Sequence, residues 1–364
     1  MNRRTLIKWT GLTSLTAIAG GGTLTATRGG DNPYYSGAAS DHFDGRIFFN
    51  PEGVPPAAFA DLVRWQVGGG KKSWPKAWPS PFRQASPQRL SSEGDLRVTM
   101  VGHATMLIQA GGLTFLTDPV WSDRVSPVSF AGPRRVNAPG IAFDNLPRVD
   151  VVLLSHNHYD HFDVATLRRL KDRHDPLVVT PLGNDTILRR AVPTMRIVSG
   201  DWGDDHHLVL PHGEARIHIE PAHHWSARGT SDRRMALWGA FAVETAAGKI
   251  YYAGDTGFHR GINYRAAARK HGGFRFALLP IGAYEPRWFM EGQHQNPKEA
   301  VEGMIIAEAQ FAAGCHWGTF RLTDEGIEEP RDHLHEALDA RGVARDRFKP
   351  MLPGEVWDIP PSVG

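Results

Sequence analysis

The sequence of 364 residues contains one cysteine, Cys315, so no disulfide can form within the chain. Stability must come from an apolar core or from a bound metal. Beyond the first thirty residues no apolar run approaches the ~20 residues of a membrane-spanning helix. Charge of one sign is also scarce, because 41 Lys and Arg face 39 Asp and Glu for a formal net of +2. Hydrophobic residues at 41% and charged residues at 22% place the chain among globular proteins and exclude a disordered one.

The small positive balance sits at one end. Arg3, Arg4, Lys8 and Arg28 have no acid among residues 1–30, so that segment carries +4 and residues 31–364 sum to −2. Net charge therefore gives no support to nucleic acid as a partner. The adjacent arginines precede Leu6 and Ile7, and a weakly apolar stretch broken by Thr10, Thr13, Ser14 and Thr16 follows. That layout is expected of a twin-arginine-type export signal over residues 1–30, with Ala17-Ile18-Ala19 or Ala26 as its cleavage site. It implies a periplasmic location or the outer face of the cytoplasmic membrane.

Residues 31–92 are rich in Pro, Gly and aromatics and read as an irregular arm wrapped on the main domain, with one short helix between 56 and 67. Trp74, Trp78 and Phe82 are its candidate buried anchors. From residue 93 the texture changes. Segments 96–101, 105–109 and 113–117 read as strands, the last two joined by Gly111-Gly112 as a hairpin, and 149–155 as a buried strand. Asp163 is placed to cap a helix carrying Val164, Leu167 and Leu170. A second group of strands spans 216–220, 237–243, 249–253, 276–281 and 311–315. Asn296-Pro297 starts a helix, and another over 332–341 is closed by Gly342. Two strand groups, each followed by helix, are best satisfied by two packed sheets with helices outside, an α/β fold over 93–364.

The strongest local signal is His156-Asn157-His158-Tyr159-Asp160-His161, directly after the buried strand. On a strand, His156 and His158 share a face and reach one ion, while the turn before Asp163 swings Asp160 and His161 toward a second. Imidazole and carboxylate ligands suit zinc, with manganese or iron also accommodated. One loop cannot close two sites. His224, Asp255 and His316 each follow a strand, where loops build sites, and are candidates for the missing donors; taken singly they also read as part of a surface His pair, a turn Asp before Gly and a core-edge His. Cys315 alternates away from the face of His316 and reads as a small buried filler.

These motifs resemble the metallo-β-lactamase fold hydrolases. Within them the sequence is similar to the N-acyl-phosphatidylethanolamine-hydrolysing phospholipase D family. The resemblance is carried by Gly102-His103-Ala104-Thr105, Leu116-Thr117-Asp118-Pro119, the 155–161 loop, and Pro280-Ile281-Gly282-Ala283-Tyr284-Glu285-Pro286-Arg287-Trp288-Phe289-Met290. His316-Trp317-Gly318-Thr319-Phe320 completes it. It implies a four-layer αββα sandwich. It also implies two zinc ions: His156, His158 and His224 on one, Asp160, His161 and His316 on the other, and Asp255 bridging. By the same resemblance Gln293 and His294 lie near a substrate phosphate, with Tyr159 a further substrate contact, and a homodimer is suggested. His223 is then adjacent to a ligand rather than one itself.

A phosphodiester is anionic and shielded from nucleophiles, and paired metal ions address both obstacles. Asp118 and Glu285 are candidates to orient ligand imidazoles, and Arg287 either binds phosphate or pairs with Glu285. The expected function is hydrolysis of N-acyl-phosphatidylethanolamine-like phospholipids to N-acylethanolamine and phosphatidic acid. Peripheral membrane contact through an apolar groove is expected to accompany it, with Phe48, Phe49, Trp65, Trp74 and Trp78 of the arm and Trp288, Phe289 and Met290 as candidates to line that groove, ordinary core packing being the alternative for each. Hydrolysis of a small phosphodiester or lactone, or a catalytically silent lipid-binding role, are the alternatives.

Overall fold

The computed structural model describes residues 32–90 and 92–362; the expected export segment lies outside them. Helix α1 (Phe59–Val67) precedes β1 (Leu96–Gly102), β2 (Thr105–Ala110), β3 (Leu113–Thr117), β4 (Val151–Leu153), α2 (Val164–His174), β5 (Leu177–Pro181), α3 (Asn184–Ala191) and β6 (Arg196–Gly200). There follow β7 (Asp205–Leu210), β8 (Gly213–Glu220), β9 (Ala240–Thr245), β10 (Gly248–Tyr252), α4 (Ile262–His271) and β11 (Phe274–Pro280). The chain continues through α5 (Arg287–Met290), α6 (Pro297–Ile306), β12 (Ala309–Cys315), α7 (Glu329–Ala340), β13 (Phe348–Lys349) and β14 (Val356–Asp358). Two seven-stranded sheets result, in the orders β14-β1-β2-β3-β4-β5-β6 and β13-β12-β11-β10-β9-β8-β7. Each is antiparallel over its early strands and parallel over β3 to β6 and β10 to β13.

The central strands β2, β3, β5 and β11 are buried at every position because both faces of each sheet are covered. Val98, Met100, Ile108 and Phe115 of one sheet meet Ile217, Phe241, Phe276 and Leu278 of the other. Their strand neighbours point outward. Leu107, Leu116, Val152 and Val178 lie under Leu167, Leu170 and Leu188 of α2 and α3, while Tyr251, Ala277 and Leu279 lie under Val301, Met304, Leu334 and Leu338 of α6 and α7. The layers are thus α, β, β, α. Cys315 is buried between the sheets among these residues.

The segment before β1 carries one helix and is anchored through indoles and phenyl rings. Phe43 and Phe48 are buried against each other with ring centres 4.6 Å apart. Trp65 Nε1 donates to Asp324 Oδ1 at 2.9 Å, Trp74 Nε1 to the Glu325 carbonyl at 2.9 Å, and Trp78 packs edge-on to Trp317. The Trp65 and Trp74 indoles thus each find an acceptor for their one N–H, and Trp78 is held by its ring contact and by its backbone N–H on the Val136 carbonyl.

Where the structure departs from the sequence reading, neighbours supply the reason. The strand expected over 149–155 is hydrogen-bonded as strand only over Val151–Leu153, and the chain then leaves the ladder toward the 156–161 loop. β7 is a half-exposed edge strand whose first half, Asp205-His206-His207, is polar, so its run Asp205–Leu210 carries only a short apolar signal. β14 becomes a strand only by pairing with β1, Val98 opposite Trp357. α2 begins where expected. Asp163 Oδ1 accepts from the N–H groups of Ala165 and Thr166, and Oδ2 from Ser122 N at 3.0 Å. Asp163→Ala removes the cap and leaves the Ser122 N–H unpaired, so unfolding in urea is expected to be easier by about 2 kcal/mol.

Candidate metal centre

The loops that carry the candidate ligands leave the C-terminal ends of β4, β8, β10 and β12, all at one edge of the sandwich. Gly254 makes this geometry possible at β10. Its φ of +60° suits a residue without a side chain, and a Cβ there would sit 2.9 Å from the Gly239 carbonyl oxygen. The turn that follows delivers Asp255 into the cluster.

Three imidazole nitrogens converge first. His156 Nε2 lies 2.9 Å from His158 Nδ1, which lies 3.2 Å from His224 Nε2. A second group forms around Asp160 Oδ2, with His316 Nε2 at 3.2 Å, His161 Nε2 at 3.4 Å and His103 Nε2 at 2.9 Å. Asp255 Oδ2 stands between the groups, 3.1 Å from His316 Nε2, 3.2 Å from His161 Nε2 and 3.8 Å from His224 Nε2. His156 and His158 share a target despite lying in an extended loop rather than on a strand.

A buried scaffold aims these rings. Asp118, fully buried, accepts from His161 Nδ1 at 2.6 Å, from Tyr252 OH at 2.6 Å and from Ser155 N at 2.7 Å. Ser155 Oγ contacts His156 Nδ1 at 2.9 Å, and the Gln293 carbonyl contacts His224 Nδ1 at 3.0 Å. Burial and then the Asp118 carboxylate push the Tyr252 phenol well above its usual pKa, so it stays a donor.

Electrostatics separate the two groups. Burial pushes His156 and His224 well below the ordinary imidazole pKa and His158 to about 4, which leaves neutral rings with free lone pairs. Burial also depresses His161 and His316. For these the carboxylates win: Asp255, Asp160 and Asp118 hold His161 well above its usual value, and Asp255 with Asp160 holds His316 at about 9. Burial alone would raise Asp160 and Asp255, but a group of imidazoles led by His161 keeps both well below the usual carboxylate range. The site draws positive charge to itself, which a divalent cation supplies. His161 Nε2 and His158 Nε2 are buried without a hydrogen-bond partner, and His161 Nε2 points between two carboxylates without hydrogen-bond geometry to either. Nitrogen and carboxylate donors in this arrangement fit a borderline metal such as zinc, and manganese or iron also accept them.

The remaining candidates are placed as follows. His294 stands at the mouth, its Nδ1 3.9 Å from Asp255 Oδ2 and its ring 5.0 Å from His224. Gln293 donates one Nε2 hydrogen to the Val54 carbonyl at 2.9 Å. Tyr159 is not a free contact: its OH donates to the Arg228 carbonyl at 3.1 Å and its ring lies under the Arg228 guanidinium. Arg228 also donates to the Asn157 and Phe162 carbonyls and so braces the ligand loop, a role no motif announced. Arg287 pairs with Glu299 at 2.9 Å rather than with the Glu285 carboxylate, which accepts from the Arg287 backbone N–H instead. Glu285 therefore does not serve the ligand imidazoles; Asp118 does. His223 is buried and stacked on His259 at 3.9 Å. A separate cluster of His218, Glu220 and His271 is an ion-pair network, since Lys270 Nζ already lies 2.8 Å from Glu220 Oε1.

Two packed mixed sheets with a His/Asp cluster at the strand ends define a class of metal-dependent hydrolase, and comparison agrees. Residues 114–317 match the family described as a beta-lactamase superfamily domain. The chain belongs to the metallo-β-lactamase superfamily of metal-dependent hydrolases. Over 285 residues it is 38% identical to N-acyl-phosphatidylethanolamine-hydrolyzing phospholipase D 1 of Caenorhabditis elegans, spanning 76% of this chain and 80% of that protein. It is 32% identical over 250 residues to the mitochondrial N-acyl-phosphatidylethanolamine-hydrolyzing phospholipase D of Saccharomyces cerevisiae, spanning 68% of this chain and 53% of that protein. Among solved structures, Igni18, a metallo hydrolase of Ignicoccus hospitalis, superposes with a TM-score of 0.53 at 18% identity over 72% of this chain and 98% of that one, a likeness of fold.

Asp118→Asn replaces a carboxylate that accepts from three groups around the ligands. It is expected to weaken metal retention by about 10- to 100-fold in competition with a chelator, with secondary structure unchanged by circular dichroism.

Proposed function

We propose that this chain is a dinuclear zinc phosphodiesterase of phospholipase D type. It hydrolyses N-acyl-phosphatidylethanolamine-like phospholipids to N-acylethanolamine and phosphatidic acid. The observation that carries this reading is the Asp255 carboxylate set between two histidine groups, in a chain 38% identical to a protein named for that activity.

His156, His158 and His224 would hold one ion, Asp160, His161 and His316 the other, and Asp255 both. Bound ions activate water near neutral pH and offset the negative charge of phosphoryl oxygens. The chain's own part is placement. Asp255 sets the spacing of the two groups, and Asp118 and the Gln293 carbonyl keep the imidazoles aimed. His294, depressed to about 4 by burial foremost, is neutral at pH 7 and is positioned to donate one N–H to a phosphoryl oxygen. In the reaction the water oxygen bonds to phosphorus, the phosphorus–oxygen bond to the acylethanolamine breaks, and the leaving oxygen takes up a proton.

A lipid substrate also requires an apolar approach. Val54 and Val67 are 58% and 71% exposed, and Trp288 is 50% exposed beneath Arg64 of α1. Val54 is joined to the centre through its carbonyl, which accepts from Gln293. This patch would rest on the bilayer beside the metal centre.

Two measurements test the reading. Asp255→Asn is expected to abolish release of N-acylethanolamine from N-acyl-phosphatidylethanolamine while the chain stays folded; retained turnover, or wild-type turnover confined to small phosphodiesters or lactones, overturns it. Trp288→Ser combined with Val67→Ser is expected to slow turnover in vesicles more than in detergent micelles, and an equal effect in both removes the patch from the account.

A further inference from the structure

His103 lies in the turn between β1 and β2, outside the 156–161 loop, and is 1% exposed. Its backbone is held in the left-handed region at φ +57°, directly after Gly102 at φ +148°. A histidine kept there costs about 1 kcal/mol or more, so the surroundings must over-determine it. They do. Its N–H donates to Thr319 Oγ1 at 3.0 Å and its carbonyl accepts from His316 N at 2.9 Å, tying the turn to the loop after β12. Its ring leans on His316 at 4.0 Å and meets Phe320 edge-on at 5.2 Å. The remaining freedom is used on one contact, Nε2 to Asp160 Oδ2 at 2.9 Å.

Two roles are compatible with that contact, ligand or donor. The ligands of this group straddle both carboxylates: His161 Nε2 and His316 Nε2 each come within 3.4 Å of Asp160 and of Asp255. Among the described residues His103 makes an ion-pair contact with Asp160 and none with Asp255. Its ligand atom lies within 4.8 Å of those of Asp160, His161 and His316, but His103 is the one imidazole of that group without a contact to the bridging carboxylate. At 2.9 Å its contact with Asp160 is shorter than those of His316 and His161, at 3.2 and 3.4 Å, and in the donor role the hydrogen is on His103 Nε2, because a carboxylate oxygen can only accept.

We propose that His103 is a positioning residue for the second metal site: it donates to Asp160 and fixes the plane of that carboxylate. Asp160 belongs to the first sheet's loop and His316 to the second's. His103, bonded to both, sets their register. A carboxylate without this donor turns about its terminal torsion, and the affected ion is the one held by Asp160, His161 and His316, not the one held by His156, His158 and His224.

This inference rests on the two-ion reading, and the test separates the two. Full-length wild type, His103→Gln, His103→Asn and His316→Ala are titrated with zinc against a chelator, and ions per chain are counted. Asn tolerates the left-handed backbone but is too short to reach Asp160, whereas the Gln amide reaches it. Wild type is expected to hold two ions. His103→Asn is expected to keep the first with unchanged affinity and to bind the second about 10- to 100-fold more weakly, His103→Gln to recover most of that loss, and His316→Ala to lose the second ion. Unchanged second-ion affinity in His103→Asn overturns the proposal. So does a loss in His103→Gln as complete as in His316→Ala, which makes His103 a ligand. If His103→Asn does not fold, that second comparison decides alone. A wild type that holds one ion fails the two-ion reading instead.

Discussion

Three carboxylates, Asp118, Asp160 and Asp255, lie within a shell of histidines at one edge of the sandwich, and two of them are almost fully shut off from water. Burying negative charge is tolerable only if positive charge or hydrogen-bond donors face it. Every other feature of the site follows from that constraint. Tyr252 and Ser155 turn inward to donate to Asp118, and His161 is gripped between Asp118 on one nitrogen and Asp160 with Asp255 on the other. The imidazoles farther from these carboxylates are driven neutral by the same burial. One edge of the molecule is thereby prepared both to attract cations and to ligate them.

The fold meets the constraint by dividing the labour. Asp118 and the 156–161 loop come from the first sheet, and His224, Asp255 and His316 from the second. Neither sheet has a complete set. The donors meet only because the inter-sheet core of Val98, Ile108, Phe115, Phe241 and Phe276 holds both sheets rigidly with their strand ends level. The turn at His103 and the loop at His316 are bonded to each other across that seam. Packing far from the chemistry thus governs its geometry, as expected where close-packed interiors transmit displacement.

Much of the core was legible in the residues. Apolar-rich runs such as 96–101 and 276–281 announced strands. The Asp163 and Asn296 caps marked helix starts, because capping is a local hydrogen-bond problem that a few residues solve. Edge strands β7 and β14 were not legible. One opens on three polar residues and is half-exposed along its length, and the other acquires strand geometry only from a partner some 260 residues away in the chain. The 149–155 run also overstated its strand, since apolar character continues into residues that leave the ladder to reach the site.

The chemistry divides the same way. By itself the sequence determined which side chains can ligate a metal, that they follow buried strands, and that no disulfide contributes. Residue type and strand period are local properties. Tertiary structure alone decided that Asp255 Oδ2 touches both histidine groups and that Asp118 rather than Glu285 orients the rings. It also decided that Arg287 answers Glu299, and that Gln293 and Tyr159 are already engaged by Val54 and Arg228. These are contacts between distant segments. Their partners are chosen by which atoms the packed sheets bring within about 3 Å, the range a hydrogen bond needs, and no spacing along the chain encodes that distance.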